Sequence, residues 1–297
     1  MKNRFLALAW LLALAAPGIS LAQPAPTQQM DASLLQREDL AYFFTTLQLS
    51  SADGKRHYQL WVGKPDRPAP PAGYPVLWML DGNAAISALN DDQLHTLAEG
   101  QAPLLVAVGY QTDQRIERSA RTYDYTPNLP EQREQLDPLT GQPSGGVDAF
   151  FDLLNQRMRP MVANVAPIDN SRQTLWGHSY GGLAVLHALF TRPGEFSDYA
   201  AASPSLWWHD GVIVKEAAGL QQRLGNSRPQ LLVMRGSDEP ARPREPNKGD
   251  TERPARELSA DLAKVPGLQV TFKRFDGLGH GPMLPASLKW VIDGMSR

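Results

Sequence analysis

Short unbroken apolar runs alternate with longer amphipathic segments along most of this chain, a pattern that predicts strands and helices in alternation. Val76-Leu77-Trp78-Met79-Leu80, Leu104 to Val108 and Leu231-Leu232-Val233-Met234 are continuous apolar stretches, as in strands buried on both faces. Gln173-Thr174-Leu175-Trp176 and Tyr199 to Ala202 read as shorter strands, and Val270 to Phe275 alternates like a last strand. Phe43 to Ser50 and Tyr58 to Val62 flank Asp53-Gly54, a hairpin-turn signal. Val147, Phe150, Phe151, Leu154, Met158, Met161, Val162 and Val165 fall on one helical stripe. Further helices are predicted over Gly182 to Phe190, Ala255 to Val265 and Pro282 to Met295, the last with proline near its first turn. Such alternation predicts an α/β fold with a mostly parallel central sheet and helices on both faces.

Two polar excursions interrupt the pattern, Gln111 to Gly146 and Ala241 to Arg253. The first is too long for a simple connection, and loops of that length are usually functional or disordered. The first 22 residues read as an export signal. Lys2 and Arg4 precede the apolar run Phe5 to Ala16, and Ser20-Leu21-Ala22 offers small residues for cleavage. That run is short for a membrane-spanning helix, so no stable membrane anchor is expected, although an uncleaved anchor is the alternative. Residues 23–36 are Pro/Gln-rich and are expected to form a flexible leader, which leaves 37–297 as one domain.

Composition narrows the partners. The chain has 297 residues, 42% of them hydrophobic, enough for one large core. A formal net charge of −2 gives no general basic field for nucleic acid or membrane headgroups. There is no cysteine, so in an exported protein the core must hold the fold without disulfides. No metal-ligand cluster, glycine-rich phosphate loop or internal repeat is found, so neither a metal nor a cofactor is expected.

The candidate chemistry begins at Gly177-His178-Ser179-Tyr180-Gly181, a G-x-S-x-G pentapeptide between a predicted strand and a predicted helix. A strand, sharp turn and helix of this kind expose a serine hydroxyl above a sheet, so Ser179 is the candidate nucleophile. The partners should follow in the order acid, then histidine. Arg235-Gly236-Ser237-Asp238-Glu239-Pro240 ends a strand and presents two adjacent carboxylates. The G-x-x-acid spacing from Gly236 favours Glu239, with Asp238 as the competitor. His280, in Gly277-Leu278-Gly279-His280-Gly281-Pro282, is the candidate base. Of the other histidines, His187 reads as a satisfied core residue, His57 and His95 as surface, and His178 as packing beside the site. The oxyanion donors are expected to be the N–H of Tyr180 and that of Gly82 or Asn83, after the strand ending at Leu80. Losing one such donor typically costs about 3 kcal/mol of transition-state stabilisation.

Four segments carry a family resemblance: Val76-Leu77-Trp78-Met79-Leu80-Asp81-Gly82-Asn83, Arg121-Thr122-Tyr123-Asp124-Tyr125-Thr126-Pro127, Gly177-His178-Ser179-Tyr180-Gly181-Gly182 and Ser203-Pro204-Ser205-Leu206-Trp207-Trp208. With His280 they span Phe43 to the C-terminus. The chain resembles the esterase D-like branch of the alpha/beta hydrolases, and within it the periplasmic enterobactin (catecholate siderophore) esterases. The resemblance implies the alpha/beta-hydrolase fold, a periplasmic location and hydrolysis of the triserine lactone of ferric enterobactin, releasing iron. It carries over Ser179, His280 and the oxyanion donors. It carries over the acid least securely, because periplasmic members are described as relying mainly on Ser and His.

A bulky anionic ligand with flat catecholate rings calls for arginines and aromatics. Arg118 and Arg121, with Arg115 beside them, lie on the first excursion; Arg242, Arg244, Lys248 and Arg253 lie on the second; Trp207, Trp208 and His209 follow another strand. Arg118, Arg121, Trp207, Trp208 and His209 are therefore the candidate substrate-binding residues, with Arg121 alternatively structural. A general carboxylesterase or acyl-thioester hydrolase and a non-catalytic siderophore-binding protein are the competing functions.

Overall fold

The computed structural model describes residues 28–130 and 134–295. The expected export signal lies outside the described residues. Eight strands form one sheet: β1 (Tyr42–Ser50), β2 (His57–Pro65), β3 (Tyr74–Met79), β4 (Leu104–Tyr110), β5 (Ile168–His178), β6 (Asp198–Ala202), β7 (Gln230–Gly236) and β8 (Gln269–Phe275). Their order is β1-β2-β4-β3-β5-β6-β7-β8. β1 and β2 are antiparallel, as are β2 and β4, and every later pairing is parallel. The antiparallel β1–β2 hairpin occupies one margin, as its Asp53-Gly54 turn predicts, with Gly54 at φ +67°.

The apolar runs fill the centre because both faces of the sheet are covered. Val76, Trp78 and Leu80 point into one core with Val106, Phe150, Leu183 and Leu186. Leu77 and Met79 point into the other with Leu94, Leu105, Met283 and Ile292. This period-2 division of a continuous apolar run is what a central parallel strand requires. Helices α1 (Gly82–Ile86) and α2 (Asp91–Glu99) follow β3, and α3 (Arg118–Asp124) lies within the first polar excursion. The stripe over 147–165 is helical throughout but not uniform. α4 (Val147–Leu153) passes through a wide π turn at Leu154–Met158 into α5 (Arg159–Val165). Pro160, which has no N–H to give, sits at the start of α5, so the wide turn absorbs the break. α6 (Tyr180–Thr191) follows the pentapeptide, α7 (Val212–Glu216) and α8 (Leu220–Leu224) precede β7, α9 (Arg253–Leu262) precedes β8, and α10 (His280–Met295) closes the chain.

The flexible leader expected over residues 23–36 needs correction for its described part. Gln29 forms an antiparallel bridge with Gln114. Met30 N–H donates to the Asp113 carbonyl at 2.7 Å and Arg115 N–H to the Gln28 carbonyl at 2.8 Å. Ser33–Gln36 is a short 3-10 helix whose Leu34 is buried beside Leu40, Tyr42 and Leu94. A paired backbone and one buried leucine anchor this segment despite its polar composition.

Candidate active site

The site gathers at the carboxyl ends of β3 to β8, where the loops of a parallel sheet converge. Ser179 follows β5 directly and holds φ +61° and ψ −115°, an unfavourable conformation for a residue with a Cβ. A Cβ at Gly177 would strike the carbonyl oxygen of Gly181, so the turn can close only with glycine there. Ser179 N–H donates to the Ala202 carbonyl at 2.9 Å, which fixes the turn against β6. The hydroxyl is left free to face His280, whose Nε2 lies 3.0 Å from Oγ.

His280 is oriented on its other side. Its Nδ1 lies 2.6 Å from Glu239 Oε2. Glu239 is fully buried, and its Oε1 accepts from Ser203 Oγ and from Gly236 N–H, each at 2.7 Å. The Arg235 guanidinium lies 3.5 Å from Oε2. Burial pushes the Glu239 carboxyl up, but the donors His280 and Ser203 and the Arg235 charge outweigh it and hold the group below its ordinary range. Asp238 is exposed and its carboxylate accepts from Ser237 Oγ at 2.9 Å, away from His280. The two adjacent carboxylates are thus separated by environment: one closes the chain to His280 and the other faces solvent. The acid that the resemblance left insecure is in hydrogen-bond contact.

His178 braces the same loop. Its Nε2 lies 2.9 Å from the His280 carbonyl oxygen and its ring is 4.6 Å from that of His280. Burial, then the charges of His280, Arg121 and Arg115, push His178 well below its ordinary range, so it donates to this carbonyl as a neutral ring.

Gly82 and Asn83 open α1 immediately after Asp81, which sits at φ +52°. A Cβ on Gly82 would come within 2.6 Å of the β4 backbone, so only glycine permits this approach. The Asn83 side chain is occupied: Oδ1 accepts from Tyr110 N–H at 2.9 Å and Nδ2 donates to the Tyr110 and Thr112 carbonyls. The N–H groups of Gly82, Asn83 and Tyr180 have no acceptor among the described residues, as expected for first-turn donors.

Two of the expected substrate contacts are corrected by burial. The Arg121 side chain is 12% exposed and forms a two-pronged ion pair with Asp81. The Trp208 ring is fully buried and its Nε1–H donates to Asp137 Oδ1 at 2.8 Å. His209 is half-buried at φ +40°, edge-on to Trp208. Trp207 is half-buried, 6.1 Å from the Tyr180 ring, and lines a cavity of about 320 Å3 with Pro204, Leu206 and Arg235. Arg118 is exposed.

Sequence reasoning passed over Asp137, Ser203 and Arg235. Asp137 receives Tyr180 Oη at 2.7 Å, the Trp208 indole and Thr140 Oγ1, and so ties the first excursion to the pentapeptide and to the loop after β6. Nothing in its polar surroundings marks it. Ser203 was within reach, since it opens Ser203-Pro204-Ser205-Leu206-Trp207-Trp208. Among the described residues no cluster of three or more His, Cys, Asp or Glu could hold a metal ion, and no helix is long and apolar enough to cross a membrane.

A half-buried serine, a buried carboxylate and an exposed histidine, in that chain order at the carboxyl ends of a mostly parallel sheet, define an alpha/beta hydrolase. The esterase family profile matches residues 51–267, and the chain belongs to that family. It is 36% identical over 262 residues to the apo-salmochelin esterase of Escherichia coli O6:H1, covering 88% of this chain and 81% of that protein. It is 30% identical over 247 residues to the ferri-bacillibactin esterase BesA of Bacillus subtilis, covering 80% and 84%. Among solved structures, the enterobactin hydrolase IroE in complex with DFP superposes with a TM-score of 0.71 at 34% identity, covering 89% of this chain and 99% of that one. This chain is a carboxylic-ester hydrolase.

Proposed function

We propose that this esterase cleaves the lactone esters of a catecholate siderophore, ferric enterobactin or a related compound, with Ser179 as nucleophile. The observation that carries the reaction is the unbroken chain from Ser179 Oγ through His280 to buried Glu239. The substrate class is supported by relatives named as apo-salmochelin and ferri-bacillibactin esterases.

In this reading Ser179 Oγ attacks the ester carbonyl while its proton passes to His280 Nε2, and Glu239 stabilises the imidazolium. The oxyanion is met by the N–H of Tyr180 and that of Gly82 or Asn83. The C–O bond then breaks, and the leaving alkoxide takes the proton from His280. Water repeats the sequence on the acyl-serine, its proton going to His280 and then to Ser179 Oγ. One water is consumed for each ester opened. Opening the ring loosens the scaffold that holds the iron ligands, and in this reading the chain works in the periplasm after export by its N-terminal signal.

Comparing kcat/KM for ferric enterobactin, iron-free enterobactin and a short acyl ester tests the proposal. It expects the siderophore to be preferred; a preference for the short ester would make the protein a general carboxylesterase.

A further inference from the structure

The first excursion carries a cation whose surroundings differ from those of its neighbours. Arg121 is neutralised by Asp81, and Arg118 is exposed at the start of α3. Arg115 is half-buried and forms no ion pair among the described residues. Of the acidic residues beside it, Glu117 turns back to cap the N–H of Ala120, and Asp113 is exposed. The Arg115 charge reaches His178, the residue before the nucleophile, and contributes to keeping that buried ring neutral.

The loop that carries Arg115 is held from two sides. Asn83, in the candidate oxyanion turn, donates to the Thr112 carbonyl at 3.0 Å. On the outer side, Gln28 and Met30 pair with Arg115 and Asp113 through their backbones. Asp31 N–H then donates to Ser87 Oγ at 2.9 Å, and that hydroxyl donates to the Asn83 carbonyl at 2.7 Å. The N-terminal segment thus forms a strap across the outside of the loop, ending on the helix that opens with the oxyanion turn.

We infer that Arg115, presented by this strapped loop, is the residue that selects anionic esters at the mouth of the site. This rests on the esterase reading above and deepens it by assigning the charge preference to one residue. A cation with no ion pair among the described residues, carried on a loop bonded to the candidate oxyanion turn, attracts a negative group and offers it a charge-assisted hydrogen bond. The strap limits the loop's freedom, so less ordering is needed when the anion arrives.

The test is the ratio of kcat/KM for an anionic ester, p-nitrophenyl hemisuccinate, to that for neutral p-nitrophenyl butyrate, at low and high salt. Neither probe is a siderophore, so the ratio is read whether or not a ferric catecholate is turned over. Arg115→Gln is expected to lower the ratio about tenfold, the range of one charge-assisted hydrogen bond, and to flatten its salt dependence. Arg115→Lys is expected to retain part of it. Lys264→Gln removes the same charge from an exposed position just past α9, at the other end of β8, and is expected to leave the ratio unchanged. Met30→Pro deletes the strap's donor to Asp113 and is expected to lower the ratio in the same direction as Arg115→Gln. An unchanged ratio in Arg115→Gln, or an equal fall in Lys264→Gln, would overturn the assignment, and an unchanged ratio in Met30→Pro would remove the strap from it.

Discussion

Arg121 holds Asp81 by two parallel hydrogen bonds, Nε to Oδ1 at 2.7 Å and Nη2 to Oδ2 at 2.8 Å. Asp81 is the left-handed residue that turns the chain from β3 into Gly82, and its N–H donates to Tyr125 Oη at 3.0 Å. The guanidinium also lies 5.5 Å from the Tyr125 ring centre and 5.4 Å from that of Tyr180. An arginine that suggests a substrate grip in the sequence therefore fixes the turn that aims the candidate oxyanion donors.

Arg121→Ala should consequently lower kcat for anionic and neutral esters alike. It also strands a buried carboxylate, a change that typically costs about 3–5 kcal/mol of stability. Arg121→Lys should not restore activity, because an ammonium cannot reproduce the two-pronged geometry. Steady-state kinetics beside thermal denaturation would check both, and a loss confined to anionic esters would return Arg121 to substrate binding.

The two adjacent carboxylates give a sharper comparison. Glu239→Gln should lower kcat by about a thousandfold or more, since the amide no longer stabilises the imidazolium or fixes its tautomer. Asp238→Asn should change kcat little, because that carboxylate is exposed and, among the described residues, bonded only to Ser237. Ser203→Ala removes one of two donors to Glu239 Oε1 and should have an intermediate effect. The reverse order for Glu239 and Asp238 in kcat measurements would transfer the acid's role, and two small effects would point to a Ser–His dyad.

Stability should depend on pH through a histidine far from this chemistry. His187 is buried in α6 with Glu216 Oε2 at 2.8 Å and Asp148 Oδ1 at 3.3 Å; Arg192 also bonds Asp148. Burial pushes His187 down, but the two carboxylates outweigh it and raise it to about 9. Its folded value lies above its unfolded one, so the stabilisation is complete below about 6.5. It is lost as pH rises through about 9, and is worth on the order of 3 kcal/mol. The melting temperature should therefore fall across that window, and His187→Gln should start lower and show a flatter fall. An equally steep alkaline fall in His187→Gln would assign the dependence elsewhere.

The sheet was legible because Val76 to Leu80 and Leu104 to Val108 are apolar at every position, which only a strand covered on both faces tolerates. Ser179 and His280 were legible because their glycine-rich turns sit where strands end. The remainder depends on contacts distant in sequence. Asp81 and Arg121 are 40 residues apart, and the pairing that buries Arg121 leaves no local mark. Trp208 looked available beside Trp207, yet its indole donates to Asp137, 71 residues earlier. Spacing from Gly236 favoured Glu239 and left Asp238 as a competitor, because what distinguishes the two is burial against Ser203 and Arg235. The leader's polar composition concealed a backbone pairing with Asp113 and Arg115 that no side chain signals.

The proposed reaction is the opening of catecholate siderophore esters by Ser179, driven by His280 and Glu239. Mass spectrometry of ferric enterobactin after incubation with the wild-type protein and with Ser179→Ala tests it most directly. The wild-type protein is expected to give linear products that have gained one water per ester opened, and the folded variant to leave the trilactone intact. Intact trilactone in both reactions, or the same linear products from Ser179→Ala, would contradict it.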